Sequence, residues 1–222
     1  SAAMVTFAMT DPEAKARGVS SFFVPVDNPG VTLQSYKDMG VKAMRRGSAF
    51  LDNVKIPKSN LLGQEDKGFK QAMNTFDVLR VCLCMIALGA AEKSLDETVE
   101  YVKTREAFGR PIAKFEGVSF PIAEHYTKLM SANWLCLYAL WAHDKGIKHT
   151  KETAMCKYYA PLVAVQAIHD CLLLHGHYGY TQEFPIEQRL RDVIALEFAD
   201  GTSQIQKIII SREIIGKEYL PY

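Results

Sequence analysis

A carboxylate and two hydrogen-bonding side chains lie close together near the end of the chain. Asp200 is followed by Gly201, Thr202 and Gln204, at the mouth of a strongly apolar segment. A carboxylate placed here can remove a proton from a substrate. It can also cap the following helix, which stabilises a helix by about 1 kcal/mol. The start of such a helix also favours phosphate groups. The residue types leave these roles open.

Two further places carry charges that could bind a ligand. Arg105 follows a long apolar stretch, and its guanidinium fork matches the geometry of a phosphate group, although a solvated charge is the simpler interpretation. Asp77 and Arg80 have the i,i+3 spacing of a surface ion pair, which contributes a few tenths of a kcal/mol. His175 and His177 lack a third spaced ligand, so the sequence predicts no metal site.

The composition is that of an ordinary globular protein. Apolar residues make up 48% and charged residues 23% of the 222, and the net charge of +1 argues against nucleic-acid binding. No apolar run reaches the ~18 residues of a membrane span, and the first residues show no secretory signal. The five cysteines are odd in number and lie in predicted helices, so we expect buried, reduced thiols.

The elements that position these residues are predicted to change type at about residue 63. Residues 1–63 form part of a small β domain, with strands predicted at 5–9, 20–26, 31–33 and 48–56. Residues 64–222 form a helical domain. Its helices are predicted at about 67–103, 115–143 and 151–174, then a short one after Pro185 and a last one from Gly201 to about Gly216. The predicted fold is mainly α, an antiparallel helical bundle preceded by part of a β domain.

Several motifs, in order and in register over nearly the whole chain, resemble the acyl-CoA dehydrogenase family. They are Phe50–Pro57, Phe76–Arg80, Tyr101–Ile112, His175–Tyr180, Pro185–Glu187 and Gly201–Gln206. The resemblance implies the C-terminal helical domain of that family and the end of its β domain. The β portion is too small for a comfortable domain, so we expect an N-terminal part to be missing.

The resemblance implies the chemistry of the site. In this family FAD takes a hydride from Cβ of an acyl-CoA thioester while a carboxylate removes a proton from Cα. Asp200 lies where relatives most often have a catalytic glutamate. The alternative position for the base in the family is Leu79 here, which cannot act as one. Asp200 is therefore the predicted catalytic residue.

The pocket beside the base is predicted to be wide. Aspartate is shorter than glutamate by one methylene, about 1.3 Å, and misplacement by ~1 Å can cost ~100-fold in rate. Ala199 is small where relatives often have tyrosine. Asp200 also resembles the cyclohexane- and cyclohexene-carboxyl-CoA dehydrogenases, so a cyclic acyl group is the expected substrate. A short straight or branched acyl group is the alternative.

The resemblance also assigns binding residues. The predicted FAD-binding residues are Arg105, Phe108, Gly176, Thr202 and Gln204, of which Arg105 and Phe108 meet the FAD of a neighbouring subunit. The predicted residues on the acyl-CoA side are Asp77, Arg80, Ala199 and Gly201. Glu116 and Leu173 depart from the family, because relatives commonly have glutamines that bond FAD there.

The expected partners follow from the family. They are an acyl-CoA substrate, an electron-transferring flavoprotein and three further copies in a homotetramer, with no nucleic acid. The expected location is the bacterial cytoplasm or the mitochondrial matrix. From another class, a helical assembly module without a functional flavin site remains an alternative, which Leu173 and Glu116 favour.

Overall fold

The computed structural model describes residues 2–44 and 46–220, which belong to two compact units. The first contains the described residues of Ser1–Asp38 and Lys42–Phe76, and the second contains Met39–Val41 and the described residues of Asp77–Tyr222. The expected domain boundary at residues 63 and 64 stays a prediction.

Two antiparallel strand pairs form the sheets of the first unit. The strands are β1 (Ala3–Met9), β2 (Val19–Pro25), β3 (Val31–Ser35) and β4 (Gly47–Leu51). β1 pairs with β2, and β3 pairs with β4. The strand predicted over 48–56 is too long, because Asn53 adopts φ +50° and turns the chain out of the extended conformation.

Helices make up most of the second unit and confirm the predicted helical domain. Long α1 (Gly68–Thr104) begins in the first unit and is followed by the two-residue strands β5 (Glu106–Ala107) and β6 (Arg110–Pro111). The remaining helices are α2 (Glu116–Asp144), α3 (Thr150–His175), α4 (His177–Tyr180), α5 (Ile186–Ile194) and α6 (Ser203–Ile214). The sequence did not predict the single turn α4.

The core of the second unit is built from small side chains on the three long helices. Ala87 and Ala91 of α1 and Ala132 of α2 are fully buried in one cluster with Ala160 and Ala164 of α3. Small residues allow helices to approach closely and to pack at crystal-like density. α3 contacts α2, α4, α5 and α6, so it is the central helix that positions the others.

Four of the five cysteines are buried free thiols, as expected, whereas Cys82 is exposed. Cys82 and Cys84 are two residues apart, so the helix points only Cys84 into the core. Among the described residues, no helix is long and apolar enough to cross a membrane.

Candidate active site

Asp200 lies in a tight turn immediately before α6, and its backbone conformation is unusual. Asp200 has φ +53° and Gly201 has φ +105°, both in the left-handed region. We call residues 198–202 the Asp200 turn. The N-cap of α6 is Thr202, which is extended, so the alternative that Asp200 caps this helix is wrong.

The Asp200 carboxylate is available for chemistry. The residue is half-buried, and its side chain accepts no hydrogen bond from any residue in the part of the chain that the structure describes. A left-handed aspartate costs on the order of 1 kcal/mol, so the surrounding residues must hold it in place.

Three donor side chains, all buried, hold the backbone carbonyls in and before this turn. Arg80 Nε donates to the Asp200 carbonyl oxygen at 3.0 Å. Gln206 Nε2 donates to the Gly201 carbonyl oxygen at 3.1 Å. Lys157 Nζ donates to the carbonyl oxygen of Leu196 at 2.6 Å. The donors come from α1, α6 and α3, so three elements fix one turn.

Arg80 is itself held by a network on α1 and α3. Its Nη1 lies 3.7 Å from Asp77 Oδ1. Asp77 Oδ2 accepts a hydrogen bond from Thr150 Oγ1 at 3.0 Å, and the Asp77 carbonyl accepts one from Thr153 Oγ1 at 3.1 Å. The ion pair expected from the i,i+3 spacing is present but largely buried rather than on the surface. The acyl-CoA contacts assigned to Asp77 and Arg80 stay a prediction.

Gly201 is required by two features of the turn. Its φ of +105° disfavours any L side chain, and a Cβ there would lie 2.7 Å from Gln206 Nε2. Ala199, the residue before Asp200, is half-buried. Leu79 is 44% exposed, and its aliphatic side chain cannot accept a proton.

Sequence reasoning missed Lys157 and Gln206 as site residues. Both are fully buried polar residues whose hydrogen-bond acceptors lie in or next to the Asp200 turn. A signal for Lys157 existed: it is four residues after Thr153 and three before Ala160, on the buried face of α3. A lysine on such a face is a signal, because lysine is almost never fully buried unless it has a partner.

A second group of predicted residues lies at the other end of the long helices. β5 and β6 form a short hairpin, which we call the Arg105 hairpin (residues 105–111). Arg105 is exposed, and Phe108 at the tip is 94% exposed with φ +53°. Phe108 and Phe115 form an edge-to-face pair, with ring centroids 6.1 Å apart.

A stacked ring pair joins the end of α1, just before the Arg105 hairpin, to the end of α3, just before Gly176. Tyr101 and His175 have centroids 4.2 Å apart, and the Tyr101 hydroxyl donates to the His175 carbonyl at 3.4 Å. Gly176 is exposed with φ +62°, and a Cβ there would meet no atom within 4 Å, so the backbone is open to a ligand. His175 Nδ1 donates to the Cys171 carbonyl at 2.9 Å, and among the described residues no three ligating side chains gather around a metal site.

The two groups of residues do not meet within one chain. Arg80 and Thr104 are 24 residues apart on α1, which corresponds to about 36 Å along a helix. Thr202 and Gln204 lie with Asp200 at one end, whereas Arg105, Phe108 and Gly176 lie at the other. Glu116 and Leu173 are exposed and belong to the second end.

The fold is a helical domain with a half-buried carboxylate in a turn that three buried side chains hold. The model of the acyl-CoA dehydrogenase C-terminal domain matches residues 66–215. The chain belongs to the acyl-CoA dehydrogenase family.

Known relatives match nearly all of this chain. An acyl-CoA dehydrogenase of Bacillus subtilis is 37% identical over 96% of this chain and 56% of its own length. The caffeyl-CoA reductase–Etf complex subunit CarC of Acetobacterium woodii is 36% identical over 96% of this chain and 56% of its own. The structure of butyryl-CoA dehydrogenase from Megasphaera elsdenii superposes with a TM-score of 0.92 at 31% identity, over 97% of this chain and 56% of that one. The chain spans about half the length of the relatives that it matches.

Proposed function

We propose that this chain supplies the catalytic base of an FAD-dependent dehydrogenation of an acyl-CoA thioester. The observation that carries the proposal is the Asp200 carboxylate, which is half-buried, accepts no hydrogen bond among the described residues and sits in a turn held from three sides. A base that is oriented before the substrate arrives loses little entropy on reaction.

The reaction removes one proton and one hydride from neighbouring carbons. Asp200 takes the proton from Cα, the electron pair of that bond forms the Cα=Cβ double bond, and the hydride leaves from Cβ. Bound FAD supplies the acceptor for that hydride. The chain's own work is to hold the carboxylate at Cα and to exclude water from it.

FAD is the cofactor of this family, and the described residues suit it in two places. At α6, the Thr202 side chain makes no capping hydrogen bond, so the N–H groups of the first turn suit a phosphate beside Gln204. At the other end, Arg105 and Phe108 are exposed around the open backbone of Gly176. Because the two ends are far apart, we propose that one FAD contacts Thr202 and Gln204 of one copy and Arg105 and Phe108 of another.

A face of α2 suits the contact between copies that a homotetramer would have. Large apolar side chains are exposed along it at helical spacing: Phe120, Met130, Trp134, Leu137, Tyr138 and Trp141. Exposed apolar patches of this kind are typical of protein–protein contact surfaces. We propose that this face is buried between copies of the chain.

For the acyl group we propose a ring, with a short straight or branched chain as the alternative. Ala199 is small, and Asp200 carries its carboxylate one methylene closer to the backbone than glutamate would. Both features leave room beside the reacting carbons. A rate comparison over cyclic, branched and linear short acyl-CoA thioesters tests this choice, and a preference for linear substrates would contradict it.

We further propose an electron-transferring flavoprotein as the electron acceptor, because the relative from Acetobacterium woodii is a subunit of a complex with such a protein. The proposed location is the bacterial cytoplasm or the mitochondrial matrix.

The alternative function is a helical assembly module without a flavin site. Leu173 cannot donate a hydrogen bond, and the Glu116 carboxylate would repel a diphosphate. Flavin absorbance at about 450 nm distinguishes the enzyme from the assembly module. It is measured on the protein purified in the longest form that its gene encodes. A colourless protein that cannot be reconstituted with FAD would exclude the enzyme.

A further inference from the structure

Lys157 is the most unusual charged residue of the second unit. It lies on the core face of α3, its exposed fraction is 0%, and its Nζ donates a short hydrogen bond of 2.6 Å to the Leu196 carbonyl. Leu196 lies in the short helical turn that leads into the Asp200 turn. The lysine therefore fixes the chain just before the base.

The groups around the Lys157 ammonium come from three directions. Arg80 and Cys84 belong to α1, whereas Glu197 and Asp200 follow Leu196 by one and four residues. The Cys136 thiol and burial both raise the pKa of the Cys84 thiol. Burial lowers the pKa of Lys157, while Cys84, Asp200 and Glu197 act in the opposite sense.

A buried ammonium without an opposite charge nearby is expensive, so its counter-charges matter. The one partner that the described residues show in contact with the Lys157 ammonium is the Leu196 carbonyl oxygen, at 2.6 Å. The charge of the lysine and the position of the base are linked through the same short stretch of backbone.

We propose that Lys157 is a positioning residue for Asp200, because it holds the entry to the Asp200 turn through the Leu196 carbonyl. This inference rests on the proposed function of Asp200 as the base. Arg80 holds the turn at its centre and Gln206 at its exit, so loss of Lys157 frees only the entry.

The test replaces Lys157 with methionine, which keeps most of the side-chain volume and removes the donor and the charge. Lys151→Met is the matched control, because Lys151 is on the same helix but is partly exposed and pairs with Glu152. Replacing a buried charge with an apolar side chain of similar volume is often tolerated by the fold. If Lys157→Met does not fold, Lys157→Gln takes its place, because glutamine is too short to reach the Leu196 carbonyl as lysine does.

Two measurements are made on each variant in the longest form that the gene encodes. The first is amide hydrogen exchange over residues 195–201. The second is kcat and KM with the best acyl-CoA of the panel, together with the isotope effect of a substrate deuterated at Cα. We expect faster exchange confined to 195–201, a kcat lower by about 100-fold with KM unchanged, and a larger isotope effect. Lys151→Met should match the parent protein in each.

The outcomes separate this inference from the proposed function. Unchanged exchange over 195–201 in Lys157→Met would overturn the positioning role, whatever happens to the rate. Faster exchange with a smaller kcat but an unchanged isotope effect would overturn the link to proton removal. If the parent protein oxidises no acyl-CoA while exchange still rises only in Lys157→Met, the proposed function fails and the hold on the turn stands.

Discussion

The Asp200 turn and the Arg105 hairpin lie near opposite ends of α3 and are supported in opposite ways. In the turn, buried Arg80, Gln206 and Lys157 bind backbone carbonyls, and the carboxylate is left without a hydrogen bond among the described residues. In the hairpin, Phe108 is almost fully exposed, and the hydrogen bonds of Arg105 to other described residues are made by its backbone.

The difference indicates two stages of site assembly. The turn is held within one chain by three buried donors, Arg80, Lys157 and Gln206. The hairpin presents side chains that have little to bind in their own chain, so it is built to meet another molecule. Under the proposed function, the base is set on folding, whereas the flavin contacts at the hairpin are set on association.

The largest expected effect tests the turn itself. Asp200→Asn keeps the shape of the side chain but removes the base, so we expect turnover to fall by about 1,000-fold or more with flavin content unchanged. Asp144→Asn, at an exposed carboxylate on α2, is the control and should have no effect. Retained turnover in Asp200→Asn would mean that another residue is the base.

A second variant weakens the support of the turn. Arg80→Met leaves the Asp200 carbonyl without its donor and Asp77 without its ion pair, so we expect about 100-fold lower kcat and about 2 kcal/mol lower free energy of unfolding. Chemical denaturation and steady-state kinetics measure both. Equal loss in Arg17→Met, an exposed arginine of the first unit, would show that the effect is not specific to the turn.

The third prediction concerns pH. Burial lowers the pKa of Lys157 in the folded chain below its ordinary value of 10.5. At a pH between this lowered pKa and 10.5, the unfolded chain binds more protons than the folded chain. The free energy of unfolding contributed by this group therefore rises with pH through that window. We expect the parent protein to gain stability relative to Lys157→Met as pH rises toward 10.5. Parallel curves for the two proteins would contradict this.

The smallest expected effect on stability is at the hairpin. Phe108→Ala removes a ring that is 94% exposed, so the free energy of unfolding should change by less than about 0.5 kcal/mol. Flavin retention, measured by absorbance after gel filtration, should nevertheless fall. Phe115→Ala, at the half-buried ring beneath Phe108, should cost more stability. If Phe108→Ala destabilises the fold as much as Arg80→Met does, the two regions do not differ as described.

The helices could be predicted from sequence more closely than the site. The spacing of apolar residues predicted α1, α2 and α3 to within a residue or two, because burial of one helix face dictates it. The strand predicted over 48–56 extends past the observed end at Leu51. The residue types allow, but do not require, the left-handed backbone conformation that Asn53 adopts.

The role of Asp200 could be predicted only in part, for a physical reason. Residue type and spacing allow both a cap and a base, and the choice depends on φ at Asp200, which distant donors impose. Arg80 is 120 residues away in sequence, and Lys157 acts on a carbonyl 39 residues away. The place of Lys157 on the buried face of α3 signals a buried lysine, but no local pattern shows which distant carbonyl it binds.

One feature of the turn has a consequence for how such a site can diversify. The three hydrogen bonds described above for Arg80, Gln206 and Lys157 go to main-chain oxygens. These hydrogen bonds do not depend on the length of the side chain at position 200, so exchange of aspartate for glutamate changes the reach of the carboxylate and the cost of the left-handed backbone there. Under the proposed function, one codon change at position 200 can alter which acyl group the enzyme accepts, while the residues that hold the turn stay the same.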